Sequence, residues 1–576
     1  MLKRLAFVML LVLFTLTIGG SLAAAQSQRF PQLETLTAYF PTNTLVYGAV
    51  RSDPAYIETL SGLYDYVVAR LPQDVIGSDV PPTLAEVLNQ TFAGFDGDFD
   101  TTVSPWLGES IALGVLPYRN SIEMRLVIAI TDQAAALKTL TRPLARDGWV
   151  EQQQPGYTRF VKDNDYDDSS IVVFPNVIII SSEQLTSLET AGVESPNLSS
   201  SPYYSDAIAL LPAASYNLLA YVDTPMVLAT SVGSDWSRSQ GERLLMAALI
   251  RMVGPTAAGG TLTGEKTLTL DVAQRFGNRA GLDALGIQLP GTGQTLDTNF
   301  LANVPSDAVL VAHGANLNNG YEFVRNNLGE IVNIIGLLPE GSVEGGQTIA
   351  GINRLFEVVF ANVTGLNYEQ DVQSWVSSDF ALFVEANPDF NPNTPNAMWP
   401  VELGAVFRVS DPASAAGFVT KLERELPITL RALDERNTVT VERVEVAAGA
   451  TAISVTAYEY RFDSDPRIVA DSLIGANDSV VVMGTRDAAT SILNGEAGGF
   501  QAVLPEPLPN TGLALYVNST PLIAALERWS QLRPGLMNQN DMQQLLVLTN
   551  LLEGATISAA GTPNSDLVAR LTLTLR

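Results

Sequence analysis

Thr102-Val-Ser-Pro-Trp106-Leu-Gly-Glu-Ser-Ile-Ala-Leu-Gly-Val115 and Asp371-Val-Gln-Ser-Trp375-Val-Ser-Ser-Asp-Phe-Ala-Leu-Phe-Val384 follow one pattern. In each, a tryptophan follows a polar loop and opens an apolar run that ends in valine. Trp106 and Trp375 stand 269 positions apart. Working outward from them, further landmarks pair in the same order. Upstream, Pro41-Thr-Asn-Thr-Leu45 is answered by Pro305-Ser-Asp-Ala-Val309, a turn leading into a strand. Downstream, Arg125 to Asp132 is answered by Leu403 to Asp411, an apolar run ending in a helix-capping aspartate. Thr224-Pro225 and Thr520-Pro521 each read as helix cap plus first helical residue. Leu268 to Val272 and Leu571 to Leu575 close the two series with Thr–Leu alternation, which suits a sheet with one wet face.

The expected organisation is therefore a signal over 1–25, module one over 26–290, a linker over 291–295 and module two over 296–576. The linker is the tail of Leu289-Pro-Gly-Thr-Gly-Gln-Thr295. Hairpins and helices alternate without the strict strand–helix rhythm of a doubly wound fold. Each module is expected to be α+β, with a largely antiparallel or mixed sheet packed with helices. Helices are expected at 54–67, 83–93, 135–146, 184–190 and 242–252, and in the second series at 321–331, 349–360, 412–426, 488–493 and 541–552.

Composition narrows the function classes. The chain has 576 residues, a formal net charge of −28, 61 acidic against 33 basic side chains, no cysteine and one histidine. So negative a surface repels nucleic acid, which is excluded as a partner. Disulfides, thiol nucleophiles and thiolate metal sites are excluded outright. Lys3 and Arg4, the apolar stretch from Leu5 to Ile18, and Ala23-Ala24-Ala25 form an export signal, with a mature start expected near Gln26. The alternative is an uncleaved anchor. No membrane span is expected after cleavage.

Pro41-Thr-Asn-Thr-Leu-Val-Tyr47, Pro105-Trp-Leu-Gly-Glu-Ser-Ile-Ala-Leu113 and Leu198-Ser-Ser-Ser-Pro-Tyr-Tyr-Ser-Asp-Ala-Ile-Ala-Leu-Leu-Pro212, with Tyr221-Val-Asp223 beyond, carry a family likeness. The chain resembles the bacterial exported proteins catalogued as domain of unknown function three-three-five-two. The second series departs from that pattern at Ser374-Trp-Val-Ser-Ser378, where proline and glycine are missing. The resemblance implies export and architecture, and assigns no activity.

Candidate chemistry is sparse. His313 lies at the end of the opening strand of module two, with no nucleophile or orienting group evident, and reads as a lone polar residue. Gly259 to Thr267 departs from a phosphate-binding loop because Glu265 stands where lysine is needed; a hairpin turn is expected. Asp163, Asp165 and Asp167 are the candidate metal ligands, alternating oxygen donors of the kind that suits Ca²⁺. Asp96, Asp98 and Asp100 form a similar run, and the other reading of both is a solvated acidic loop. No cofactor is expected apart from that Ca²⁺. The expected role is a non-enzymatic binding or scaffold protein of the cell envelope, its partner an unidentified protein or envelope ligand. Two alternatives are a carrier of an apolar ligand between sheet and helices and a carboxylate-based hydrolase. If the Asp163 run is a solvated loop, millimolar Ca²⁺ leaves the melting temperature unchanged. A rise of several degrees, abolished by Asp165→Ala, would instead establish a site there.

Overall fold

Val177-Ile-Ile-Ile180 has no polar face to turn to water, so it suits a strand covered on both sides. The computed structural model describes residues 30–71, 80–92, 97–118, 121–162, 169–182, 193–233, 253–264, 266–276, 295–318, 361, 365–387, 401–433, 437–459, 467–500, 507–508, 510–532, 550–561 and 566–576. The fold is α+β, with helices and a large antiparallel sheet. The chain divides into two compact units: Met1–Gly281 with Asn564–Thr572, and Leu282–Pro563 with Leu573–Arg576.

In unit 1 the strands are β1 (Val46–Arg51), β2 (Leu107–Tyr118), β3 (Ser121–Ile130), β4 (Trp149–Gln154), β5 (Tyr157–Lys162), β6 (Ser170–Val173), β7 (Val177–Ser181), β8 (Leu218–Val222), β9 (Val253–Thr263) and β10 (Thr267–Phe276). They run antiparallel in the order β4-β5-β6-β7-β3-β2-β1-β8-β9-β10. Alternate residues of β3, β6 and β7 go to opposite faces. Val127, Val172 and Ile179 join a core with Phe30, Phe40, Tyr47 and Tyr221. Ile130, Ile171 and Ile178 join another with Trp106, Leu140 and Trp149. This explains the uninterrupted apolar run. β6 and β7 form the hairpin expected across Pro175-Asn176, and β9 and β10 form the one expected at Gly264, which takes φ +61°.

Unit 2 contains β11 (Ala308–Ala315), β12 (Val376–Ala386), β13 (Val401–Val409), β14 (Asn437–Val444), β15 (Thr451–Glu459), β16 (Arg467–Ala476), β17 (Val480–Thr485), β18 (Leu513–Asn518) and β19 (Leu552–Gly561). Their order is β14-β15-β16-β17-β13-β12-β11-β18-β19, again antiparallel throughout. Val482 and Leu473 face a core with Phe383 and Phe500; Val481 and Ile453 face one with Trp375, Phe418 and Leu422. The last strand, β20 (Leu567–Leu575), is divided, its residues up to Thr572 belonging to unit 1. There Arg570 grips the fully buried Asp271 through both carboxylate oxygens, at 2.7 and 2.9 Å. Tyr216 donates its hydroxyl to the same group at 2.7 Å.

Helix starts follow local side-chain chemistry. Asp53 accepts from the Tyr56 amide at the head of Pro54–Val68, and Asp132 from the Ala135 amide at the head of Gln133–Arg146. One expectation is corrected. Thr224 and Thr520 do not cap; Asp223 and Asn518 do, accepting from the amides of Met226 and Thr520. A carboxylate or amide oxygen one or two places earlier reaches the free N–H groups, and Thr224 bonds Thr256 instead. Leu552, expected to end a helix, opens β19. The helices expected at 184–190, 242–252, 321–331 and 349–360 lie outside the described residues.

The tryptophans close the entrances of β2 and β12. The Trp106 indole donates to the Thr102 carbonyl at 2.7 Å, and that of Trp375 to the Asp371 carbonyl at 2.7 Å. Both rings are buried. Truncating either to Ala should cost roughly 3–5 kcal/mol, measured by urea unfolding.

Candidate functional site

Period-two alternation along β12 puts Asp379, Ala381, Phe383 and Glu385 on one face, with Asn387 in step just beyond its end, and all five are buried. An apolar centre thus carries a polar group at each end. The Asp379 end is paired with a cation. Arg408 reaches Asp379 at 3.3 Å and Asp297 at 2.6 Å, and lies over the Phe300 ring. The Arg408 hydrogen bond holds the Asp297 carboxyl below its ordinary range.

His313 belongs to this end and corrects the expectation of a strand-end residue. It sits within β11, fully buried, its ring stacked on Phe300 and its Nε2 3.4 Å from Asp379 Oδ1. Among the described residues neither ring nitrogen makes a hydrogen bond. Sealed in this way, the imidazole has no open side for a substrate, and a packing role follows.

The Glu385 end differs. Glu385 pairs across the ladder with Glu402 of β13 and Ala308 of β11, and its carboxyl meets that of Asp307. Only 9% of Glu385 is exposed, and its Oε2 has no hydrogen-bond partner among the described residues. Burial, then the charge and hydrogen bond of Asp307, then the charge of Glu402, push its carboxyl up to about 8. It therefore keeps its proton at neutral pH, in a hydrogen bond with the Asp307 side chain. Glu402 accepts from the Thr485 hydroxyl at 2.8 Å.

Beside this pair opens a cavity of about 570 Å³. Its polar lining is Ser306, Asp307, Asn387, Asn518, Thr520 and Arg528; Ala386, Pro521, Ala524 and Ala525 supply the apolar part. Thr520, Ala524 and Arg528 recur every four residues on the helix Ser519–Leu532, so one helical stripe forms a wall. The ends of β12 and β18 form the opposite side. Residues of both signs and a small-residue floor equip the cavity to hold a small molecule.

Unit 1 has a buried charge cluster of its own. Glu123 and Arg125 of β3 are both buried and 2.9 Å apart. Arg125 also reaches Glu194 at 2.7 Å and the Tyr39 carbonyl at 2.8 Å, while Ser181 donates to Glu123 at 2.8 Å. This cluster is satisfied internally.

The candidate metal ligands Asp163, Asp165 and Asp167 lie outside the described residues. Of the other acidic run, Asp98 immediately precedes the one-turn helix Phe99–Thr102 and Asp100 lies within it. No group of three or more metal-ligating side chains is assembled among the described residues. No described helix is long and apolar enough to cross a membrane. Sequence reasoning passed over Glu385 and Asp307. The available signal was the alternation itself, which puts an acid in step with Ala381 and Phe383.

Residues 5–424 match the family described as "Protein of unknown function (DUF3352)". No curated protein matches. A solved structure, described as crystal form I of TP0453, aligns over 45% of this chain and 89% of its own, with 11% identity and a TM-score of 0.22.

The raised Glu385 carboxyl fixes the sign of a pH effect. Below about pH 4.5 the folded and unfolded forms are both protonated there. As pH rises toward 8 only the unfolded form sheds the proton, so folding stability declines across that window. Glu385→Gln should therefore match the wild type in melting temperature near pH 4.5 and exceed it by several degrees near pH 8.5. A constant difference at both pH values would show that the carboxyl is not held protonated.

Proposed function

This chain belongs to the DUF3352 family, and we propose that it is an exported, non-enzymatic binding protein of the cell envelope, made of two copies of one module, that carries a small ligand in the cavity of unit 2. The observation that carries the binding reading is that cavity, between the sheet ends and the helix Ser519–Leu532. It has the position expected of a carrier and a partly polar lining.

Ladder register supports the duplication. Tyr47 pairs with Gly114 and Tyr221; Val311 pairs with Phe383 and Tyr516. The steps Tyr47/Val311 and Gly114/Phe383 are 264 and 269 residues, the spacings of Pro41/Pro305 and Trp106/Trp375. Both second strands break register just after their tryptophan, between Leu107 and Ile111 and between Val376 and Phe380. The carbonyl of each tryptophan accepts from the corresponding backbone amide, Thr131 or Ser410. A glutamate stands at the same step of both ladders, Glu123 opposite Leu116 and Glu402 opposite Glu385, buried in the first and half-buried in the second.

The hydrolase alternative is less well supported. Asp307 and Glu385 are in hydrogen-bond contact, whereas a glycosidase pair stands about 5 Å or more apart. Export rests on Lys3, Arg4 and the Ala23-Ala24-Ala25 pattern, so the mature chain should begin near Gln26 on N-terminal sequencing. Native mass spectrometry tests the carrier reading. A small molecule should accompany the wild type and be lost from Ala525→Trp, which fills the cavity. A bare wild type, or a ligand that Ala525→Trp retains, would count against it.

A further inference from the structure

Resting on the carrier reading, we infer that the cavity of unit 2 receives the ammonium group of a small organic cation, seated against Asp307 with Glu385 behind it. The two units treat a buried acid differently. In unit 1 the ladder residue facing Gly114 is Arg125, and its guanidinium pairs with both Glu123 and Glu194. In unit 2 the residue facing Phe383 is Gly404. No side chain fits there, because a Cβ on Gly404 would come within 2.0 Å of Phe383 Cζ.

Gly404 therefore supplies no cation at that step, while Glu385 adds an acid where unit 1 has the apolar Leu116. Asp307, Glu385 and Glu402 are gathered at one corner, and Glu385 Oε2 is buried without a hydrogen-bond partner among the described residues. Among the described residues, the charged groups facing Glu385 are Asp307, from the turn before β11, and Glu402 of β13. The one cationic side chain lining the cavity among the described residues is Arg528, which is solvent-exposed. A ligand cation would supply what Arg125 supplies in unit 1. Ala386, Pro521, Ala524 and Ala525 would take a short apolar body attached to it.

An ammonium ion beside Asp307 favours ionisation of Glu385, so binding should release a proton near neutral pH and tighten as pH rises from 6 to 8.5. Titration calorimetry with hexylammonium chloride, hexan-1-ol and sodium hexanoate tests this, in two buffers of different ionisation enthalpy. Hexylammonium should bind at least tenfold more tightly than hexanol, with proton release. Asp307→Asn and Glu385→Gln, checked for folding by circular dichroism, should each reduce it to the hexanol level. Equal binding of hexylammonium and hexanol, or preference for hexanoate, overturns the cation assignment and leaves the carrier reading standing. Failure of all three probes to bind overturns both.

Discussion

A sheet strand must satisfy two demands at once: its backbone groups need partners on both edges, and its side chains need cover on whichever faces are dry. The rest of each unit follows from meeting both. β3 and β7 in unit 1, and β13 and β17 in unit 2, sit inside the ladder, and cores lie on both faces of the region they occupy. The tryptophans stand where the longest strands enter that region. Their indole N–H groups need partners once buried, and a carbonyl four residues earlier supplies one in each case. Interior strands of this kind leave little freedom of register, since a slip of one residue would exchange the two cores.

Charges buried on such a face are costly unless paired. The pattern of pairing is therefore informative. Asp271, Asp379 and Glu123 are all buried, and each has an arginine within 3.3 Å or less. Glu385 has none among the described residues and keeps its proton. The difference arises at one ladder step, where a glycine makes room for the Phe383 ring and leaves no space for a cationic side chain.

Much of the fold was legible because local chemistry and tertiary role agree. Asp53, Asp132 and Asp411 cap the helices that follow them, and Pro175-Asn176 turns a hairpin. Thr224 and Thr520 misled because threonine is a weaker cap than the aspartate or asparagine just upstream, and proline beside threonine drew the eye to the wrong oxygen. The site was less legible. Glu385 looks like one of 61 acids until the alternation is followed through Phe383 and places it indoors. Asp307 comes from a turn 78 positions earlier, and no local pattern says that the two meet. His313 was visible as a lone histidine, but its enclosure by Phe300 depends on the whole ladder.

The division of β20 has a temporal side. Unit 1 is assembled from Met1–Gly281 and from Asn564–Thr572, so the ribosome completes about 280 further residues before that unit possesses all its parts. At about 5–20 residues per second the interval is roughly 15 to 60 seconds. Throughout it Asp271, which ends fully buried, lacks the guanidinium of Arg570. A chain that is kept extended until synthesis finishes, and only then released to fold, never faces that interval with a half-built core.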